Sequence, residues 1–331
     1  MKLILPISIL FVALLSGCGE QVSSNSNSQP TEPVETPSSD AELQKQIAEI
    51  AKEANGKVGV YASVIETGES VSLNPNERFA MQSVVKLPIS MAVMKQVEDG
   101  KLRIDQKVKI AKDEFVPSNM RSPIRDANPN GAELTVEELL RAAISESDGT
   151  AADVLQRVGG GAEGVQGYVD SLGIADMKVK HSHKGFGQKW ELQYENWTTP
   201  QAGSGLLKKL FAREGITPQN RELLLKFMTE SNNPAGRIVA GLPKETVVAR
   251  KTGTGGTRDG ITSATNDVGI ITLPNGDHIA IAVFVGDSKA DLATREGVIA
   301  KITKAVWDKW SGAKPGEPVK IANFNERHTL N

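Results

Sequence analysis

The spacing of hydrophobic residues predicts one helix and two strands at the start of the folded part of the chain. Residues 41–54 have a helical pattern, with Asp40 in position to cap the first turn. The hydrophobic stripe of this helix consists of Leu43, Ile47 and Ile50. Residues 57–66 then place apolar side chains at every second position, which predicts a strand, and a Thr-Gly turn leads to a second strand at residues 70–73.

Helical patterns broken by glycine and proline fill the middle of the chain, from about residue 83 to residue 231. The glycines that mark helix ends are Gly100, Gly173 and Gly215. Segments rich in β-branched and apolar residues then predict strands at 246–252, 264–273 and 278–285. The last two strands are joined by Pro-Asn-Gly-Asp at 274–277, a hairpin signal, and residues 291–310 follow as an amphipathic helix.

Strands at both ends of the chain, with helices between them, predict an α/β fold of the α+β type. We expect an antiparallel sheet flanked by helices and completed by both ends of the chain, with an all-helical domain inserted at about 83–231. The catalytic domain is predicted to cover residues 41–312, and residues 313–331 are predicted to be a flexible tail.

The N-terminus has the pattern of an export signal. A short positive start is followed by an apolar run from Leu3 to Leu15, which is too short to span a bilayer. Leu15-Ser-Gly-Cys18 then resembles the lipobox of bacterial lipoproteins, which implies removal of residues 1–17 and lipidation of Cys18. Residues 18–40 are mostly polar and are expected to form a disordered tether. The protein is therefore expected to be exported and lipid-anchored on the periplasmic or outer face of a bacterial membrane.

Composition narrows the function by exclusion. The 331 residues include 38 Lys and Arg against 40 Asp and Glu, a net charge of −2, so the basic excess of a nucleic-acid-binding protein is absent. The single cysteine excludes an internal disulfide and a cysteine-rich metal module. We expect a monomer with a small-molecule substrate.

Three separated motifs carry the candidate chemistry. Ser83 and Lys86 form Ser-x-x-Lys on an apolar helical pattern, so that one helical turn brings the hydroxyl and the amine together. A buried lysine whose pKa is lowered by desolvation can activate such a serine. Ser147-Asp-Gly149 precedes a predicted helix, where it also has the composition of an N-cap. Lys251-Thr-Gly follows on a predicted strand, whose edge can hold an extended anionic substrate.

The three motifs together, in this order, resemble those of the penicillin-recognising serine enzymes, and class A β-lactamases in particular. The resemblance runs from about residue 41 to residue 310 and includes Ala-Thr-Asn-Asp-Val-Gly at 264–269. Gln-Tyr-Glu-Asn-Trp at 193–197 is similar to a loop of an extended-spectrum subgroup. The resemblance implies a β-lactamase/transpeptidase-like fold, hydrolysis of β-lactam antibiotics, and hence antibiotic resistance.

The resemblance also implies roles for individual residues. Ser83 is the acylated nucleophile, Lys86 its proton acceptor, and Ser147 the donor to the lactam nitrogen. The substrate carboxylate is bound by Lys251, Thr252 and Thr254. The backbone N–H groups of Ser83 and Thr254 form the oxyanion hole, and no cofactor is required.

Two departures from the family pattern concern the site itself. Gly149 stands where the second motif usually ends in Asn, so a side-chain amide is missing from the substrate-binding set. Class A enzymes use a Glu in the loop before the Tyr-x-Asn segment to activate the deacylating water. Counted back from Asn196, that position is His183. Either His183 is the base, or a rearranged loop supplies Glu191 or Glu195.

Other functions remain open at this point. His181 and His183 share the spacing of some zinc ligands, yet the sequence offers no matching Asp or Cys, so no metal is expected. The missing Glu favours, as an alternative function, a D-alanyl-D-alanine peptidase or penicillin-binding protein with slow deacylation. A non-catalytic cell-wall-binding lipoprotein is the third hypothesis.

Overall fold

The computed structural model of the chain describes residues 39–212, 214–231 and 236–312. The predicted leader, Cys18, nearly all of the predicted tether and the predicted tail at 313–331 lie outside the described residues. In the part of the chain that the structure describes, no helix has both the length and the apolarity needed to cross a membrane.

Helices and strands alternate irregularly along the chain. The helices are α1 Ser39–Lys52, α2 Lys86–Glu98, α3 Pro123–Ala127, α4 Val136–Ile144, α5 Gly149–Val158, α6 Gly161–Ser171, α7 His183–Phe186, α8 Pro200–Phe211, α9 Pro218–Thr229 and α10 Leu292–Trp310. The strands are β1 Lys57–Val64, β2 Ser70–Leu73, β3 Phe79–Ala80, β4 Lys107–Ile110, β5 Ala132–Thr135, β6 Met177–Lys178, β7 Trp197–Thr198, β8 Val248–Thr254, β9 Thr257–Arg258, β10 Ile261–Thr272 and β11 His278–Ser288.

Both ends of the described chain build the main sheet. Its strands lie in the order β2-β1-β11-β10-β8, and β9 extends the sheet beside β10. Every pairing is antiparallel, with Lys57 opposite Gly286 in the central β1–β11 pair. The β10–β11 hairpin closes through the predicted turn, where Gly276 has a φ of 90°. The prediction of an antiparallel sheet flanked by helices and completed by both ends is confirmed.

Two hydrophobic clusters cover the two faces of this sheet. On one face, Ile281 and Val283 of β11 pack with residues of α1 and α10. On the other face, Ala282 and Phe284 pack with α8 and with the helices of the inserted segment. Because both of its faces are buried, β11 has the near-continuous apolar sequence of a central strand rather than an alternating one.

The predicted helices and glycine positions agree with the structure in most details. Gly100 and Gly173 follow α2 and α6 with φ values of 69° and 73°, as expected for glycine after a helix end. Asp40, however, is not a cap, because α1 begins at Ser39 and places Asp40 in its first turn. A carboxylate there is favoured by the helix dipole, which explains why the two positions are hard to separate by sequence.

The inserted segment is mainly helical and also carries short strands. β4 and β5 form a two-stranded ribbon, while β7 pairs with β3 and β6 in a second small sheet. Within this segment α2 packs against α5, and the short turn that precedes α2 packs against β8 of the main sheet. These contacts bring the beginnings of α2 and α5 and the end of β8 to one place.

Candidate active site

Ser83 and Lys86 lie on consecutive turns of the chain at the start of α2. A 3₁₀ turn covers Gln82–Val85 and continues directly into α2 at Lys86. The Lys86 Nζ atom lies 2.8 Å from Ser83 Oγ. Lys86 is only 1% exposed, whereas Ser83 is half-buried and therefore open to a substrate.

The residue before the serine is held in a strained conformation. Gln82 has a φ of 49°, a left-handed backbone that costs a non-glycine residue on the order of 1–3 kcal/mol. Its side chain donates to Gln193 Oε1 at 2.7 Å, and Ser263 Oγ donates to the same oxygen at 2.7 Å. This buried network ties the serine turn to the 193–197 loop and to β10.

Ser147 joins the other two motifs. Its φ of 58° is also left-handed, and its Oγ atom lies 3.3 Å from Lys86 Nζ and 2.9 Å from Lys251 Nζ. Its carbonyl oxygen accepts from Lys86 Nζ at 2.7 Å. The next residue, Asp148, caps α5 by accepting from the Ala151 N–H. One serine hydroxyl therefore bridges two buried lysines.

Burial changes the protonation of both lysines. Desolvation lowers the pKa of Lys86 to about 7, although Asp148 and Asp153 oppose this shift. Desolvation, followed by the nearby Lys86 charge, lowers the pKa of Lys251 well below its usual range. A neutral Lys86 can accept a proton from Ser83 near neutral pH.

The end of β8 presents an open edge beside Ser83. The Gly255 N–H donates to the carbonyl oxygen of Ala264 in β10. In an antiparallel pair, successive residues point their backbone N–H and C=O groups alternately toward and away from the partner strand. The N–H and C=O of Thr254 therefore point away from β10, toward the open edge of the sheet. Gly253 makes the close approach possible, since a Cβ at this position would lie 2.5 Å from the Met81 carbonyl oxygen. An extended substrate can therefore pair with β8 next to the serine.

Arg237 holds the end of β8 in place by hydrogen bonds. It is buried and its guanidinium donates to the carbonyl oxygens of Gly253 and Asn266 at 3.1 and 2.9 Å and to Thr254 Oγ at 2.8 Å. The Glu296 carboxylate of α10 forms an ion pair with Arg237, with 3.0 Å between Oε1 and Nε. Sequence reasoning missed Arg237, because its segment before β8 carries no motif or periodic pattern.

The three motifs open into one cavity of about 440 Å³. Its polar walls are formed by Ser83, Lys86, Arg121, Ser147, His183, Lys189, Trp190, Gln193, Thr252 and Thr254, among others. Among the described residues that line it, none is Asp or Glu, while Arg121 and Lys189 are basic residues beside the neutral Lys86. The cavity thus has the electrostatic character of a site for an anionic ligand.

Gly149 also lines the cavity, and its surroundings explain why no side chain extends there. A Cβ on Gly149 would meet the Arg121 carbonyl oxygen and both Val116 methyl groups at 3.3 Å. The Gly149 N–H donates to the same Arg121 oxygen at 2.9 Å. The loop that carries Arg121 therefore occupies the space beside Gly149, and sequence reasoning gave no sign of this contact.

Of the three residues considered for activating water, only His183 reaches the cavity. Glu191 pairs instead with exposed Arg258 at 3.1 Å and its side chain is 73% exposed. Glu195 binds Lys180 and His181 on the outside of the loop. In this geometry both carboxylates are bound to basic side chains outside the cavity, so the alternative of Glu191 or Glu195 in a rearranged loop stays a prediction that requires a different path of the loop.

His181 and His183 do not converge on a common point. His181 Nε2 lies 3.1 Å from Glu195, and His183 Nδ1 lies 3.1 Å from Asp153 of α5. Among the described residues, no group of three or more His, Cys, Asp or Glu side chains is arranged to hold a metal ion. Asp153 was not identified from the sequence, since a single Asp inside a helical pattern is usually a solvated surface charge.

Comparisons with known proteins agree on one family. Residues 42–310 match the Beta-lactamase enzyme family. The chain is 36% identical over 268 residues to β-lactamase VEB-1 of Pseudomonas aeruginosa, covering 80% of this chain and 89% of the relative. It is 37% identical over 267 residues to the extended-spectrum β-lactamase PER-1 of the same organism, covering 80% and 86%.

Solved structures give the same result. A β-lactamase from Chitinophaga pinensis DSM 2588 superposes with a TM-score of 0.79 at 42% identity, covering 81% of this chain and 99% of that one. The TLA-1 extended-spectrum β-lactamase superposes with a TM-score of 0.80 at 39% identity, covering 82% and 99%.

Proposed function

The chain belongs to the β-lactamase enzyme family, and from this premise we propose that it opens β-lactams by acylation of Ser83. It is a class A-like β-lactamase, a hydrolase that acts on the cyclic amide of β-lactam antibiotics and is associated with antibiotic resistance. The residue assignments that follow are our proposal for how this chain carries out the reaction.

In the acylation step, Lys86 takes the proton of Ser83 while Oγ bonds to the lactam carbonyl carbon. The carbonyl oxygen becomes negative and is stabilised by the N–H groups of Ser83 and Thr254, which typically contribute about 3 kcal/mol each. The carbon–nitrogen bond of the ring then breaks, and Ser147 gives its proton to the leaving nitrogen. Ser147 regains a proton through Lys86, whose Nζ lies 3.3 Å from its hydroxyl.

The carboxylate of the substrate binds at the end of β8. Lys251, Thr252 and Thr254 supply an ammonium group and two hydroxyl groups there. The cationic groups of the cavity support this orientation, and the absence of Asp and Glu among its described lining residues removes a source of repulsion. Arg237 fixes the position of Thr254 and adds positive charge behind the strand.

The observation that carries this proposal is the 2.8 Å contact between the half-buried Ser83 hydroxyl and a buried lysine whose pKa is about 7. We expect the full chain to hydrolyse a chromogenic cephalosporin over many turnovers and Ser83→Ala to lose that activity. Ser311→Ala is the matched control, because Ser311 begins a second Ser-x-x-Lys sequence at the end of α10 and should leave turnover unchanged.

Intact-mass spectrometry after mixing with a penicillin distinguishes the alternatives. A transient adduct on Ser83 followed by free enzyme supports the proposal. A permanent adduct would favour a penicillin-binding protein, and a wild type that neither forms an adduct nor consumes the penicillin would sink the acylation mechanism altogether.

We also propose that Cys18 is lipidated and holds the enzyme on the periplasmic or outer face of a bacterial membrane. The support is the sequence alone: an apolar leader that ends in Leu15-Ser-Gly-Cys18. We expect the wild type in the membrane fraction of expressing cells and Cys18→Ala in the soluble fraction or retained with its leader. Ser16→Ala is the control, and an unchanged membrane fraction for Cys18→Ala, with the leader removed, would contradict the proposal.

A further inference from the structure

The cavity that contains Ser83 also contains a histidine arranged as a base. His183 begins α7, its side chain is 7% exposed, and its ring packs on Phe186 with ring centres 5.0 Å apart. Nδ1 lies 3.1 Å from Asp153 Oδ1, whereas Nε2 is buried without a hydrogen-bond partner among the described residues. One ring nitrogen is fixed by a carboxylate, and the other is left to accept a proton.

The Asp153 carboxylate determines which ring nitrogen of His183 carries the proton. Its Oδ1 also accepts the His183 backbone N–H at 2.6 Å, and its Oδ2 accepts the Lys184 N–H at 2.8 Å. An ionised carboxylate only accepts hydrogen bonds, so the ring carries its proton on Nδ1 and its lone pair on Nε2. A histidine whose role is only structural usually has both nitrogens satisfied, because an unpaired buried acceptor typically costs about 1–3 kcal/mol.

Burial, together with the positive charges around the ring, keeps His183 neutral. Burial, followed by the nearby Lys86, lowers the pKa of His183, and Lys251 lowers it further, while Asp153 acts in the opposite direction. Arg121 and Lys189, which line the same cavity, add positive charge. The ring is therefore in its basic form at neutral pH.

No other described group fills this role in the cavity. No Asp or Glu lines the described part of its wall, and Glu191 and Glu195 are bound elsewhere by basic side chains. Lys86 contacts Ser83 and is the proton acceptor of the acylation step proposed above.

We propose that His183 is the catalytic base that activates the water that hydrolyses the acyl-enzyme, and that Asp153 is its positioning residue. This inference rests on the Ser83 acyl-enzyme of the proposed function. The water oxygen bonds to the ester carbonyl carbon as one water proton moves to His183 Nε2. The bond between that carbon and Ser83 Oγ then breaks, and the proton passes from His183 to Oγ. The carboxylic acid product loses its remaining proton to solvent.

The test separates acylation from deacylation in the full chain. His183→Asn keeps an N–H donor near Asp153 and lacks Nε2, so it should acylate at the wild-type rate and deacylate about 10²–10⁴-fold more slowly. The Ser83 adduct with a penicillin, followed by intact mass over time, should therefore accumulate in this variant. His181→Asn is the matched control, since His181 faces Glu195 outside the cavity, and its deacylation rate should equal that of the wild type.

Asp153→Asn tests positioning by a pH profile. The wild-type deacylation rate should be constant above about pH 7 and fall below the lowered pKa of His183. Removing the Asp153 charge removes an interaction that raises this pKa, so the acid limb of the profile should move to lower pH. The plateau rate should also fall at least about 10-fold, because the imidazolium formed in the reaction loses its partner. A purely structural role would lower the amount of folded enzyme without moving the limb.

The outcomes are distinct. Wild-type enzyme that neither forms an adduct nor consumes the penicillin contradicts the proposed function itself. An adduct that His183→Asn and Asp153→Asn both release within threefold of the wild-type rate overturns the base assignment and leaves the acyl-enzyme standing. Slow release in both folded variants, checked by thermal unfolding, with normal release in His181→Asn, supports it.

Discussion

At the residue scale, the site depends on two buried lysines that share the Ser147 hydroxyl. Two ammonium groups so close together in a buried place repel each other, so burial and mutual repulsion both favour loss of a proton. Binding of an anionic substrate carboxylate compensates the charge of Lys251, which leaves Lys86 as the neutral partner of Ser83. The left-handed backbones of Gln82, which precedes Ser83, and of Ser147 add conformational strain to this site.

The pH dependence of acylation follows from Lys86. Only its neutral form accepts the Ser83 proton, and its pKa is about 7, so the acylation rate should rise about tenfold per pH unit below pH 7 and level off above it. Rapid-quench mass spectrometry of the adduct between pH 5 and 9 measures this. Lys86→Arg keeps a charge that cannot be lost and should abolish acylation throughout, whereas a rate independent of pH in the wild type would contradict the role of Lys86.

Gly253 is the glycine that the site requires most directly. In Gly253→Ala, the new methyl group would lie 2.5 Å from the Met81 carbonyl oxygen, so β8 must move away from the Ser83 turn. We expect the free energy of unfolding to fall by about 1–3 kcal/mol and the acylation rate to fall with it. Gly297→Ala in α10 is the control, because its methyl group meets no atom within 4 Å and should stabilise the helix by about 0.5–1 kcal/mol. Normal acylation by Gly253→Ala would show that β8 is not held against Ser83.

At the element scale, the beginning of α5 links helix formation to catalysis. The Asp148 carboxylate accepts from the N–H groups of Ala151 and Ile124, both at 2.8 Å, and from Ser122 Oγ at 3.1 Å. Its neighbours in the sequence are Ser147 and Gly149, which both line the cavity. The cap of this helix therefore also fixes the loop and the serine that line the cavity.

Asp148→Ala should disturb both functions of this cap. Several buried donors lose their acceptor, so the free energy of unfolding should fall by about 2–5 kcal/mol, and acylation should slow because Ser147 is no longer held. Asp291→Ala removes the cap of α10, far along the chain from the motifs, and should cost about 1 kcal/mol with unchanged kcat. Denaturant unfolding and steady-state turnover measure the two effects, and equal losses of activity in both variants would argue against a specific role for Asp148.

At the scale of the whole molecule, the sequence predicts what depends on local pattern. Strand β1, the hairpin between β10 and β11 and the glycine ends of α2 and α6 were all predicted from short stretches of chain. The strands β3, β6 and β7 have two residues each and exist only because they pair with one another, so no local pattern reveals them.

The same distinction separates the predicted from the missed site residues. Ser83, Lys86, Ser147 and Lys251 belong to motifs, and the structure brings all four together. Asp153 and Arg237 were missed because each reaches the site only after the chain has folded. The choice among His183, Glu191 and Glu195 likewise required the path of the loop in space.

The sheet face that packs against α1 and α10 allows stability to be tested separately from catalysis. Trp307 of α10 is buried in the cluster that joins α10, α1 and the sheet. Trp307→Ala should lower the free energy of unfolding by about 3–5 kcal/mol and leave kcat unchanged at temperatures where the variant is folded. Trp310→Ala, which changes a half-buried residue of the same helix, should cost less. A loss of kcat in folded Trp307→Ala would show that this face controls the cavity.

The pairing of β1 with β11 determines when the protein can fold during its synthesis. Strand β1 is synthesised early, and its partner β11 is the last strand of the described chain to be synthesised. Lys57 can therefore pair with Gly286 only near the end of translation. A ribosome must deliver nearly the whole catalytic domain before the central ladder can close, and such non-local pairing makes folding slow. The nascent chain therefore stays open, and without a working active site, until synthesis is almost complete. That delay is compatible with the export that we propose from the sequence of residues 1–18.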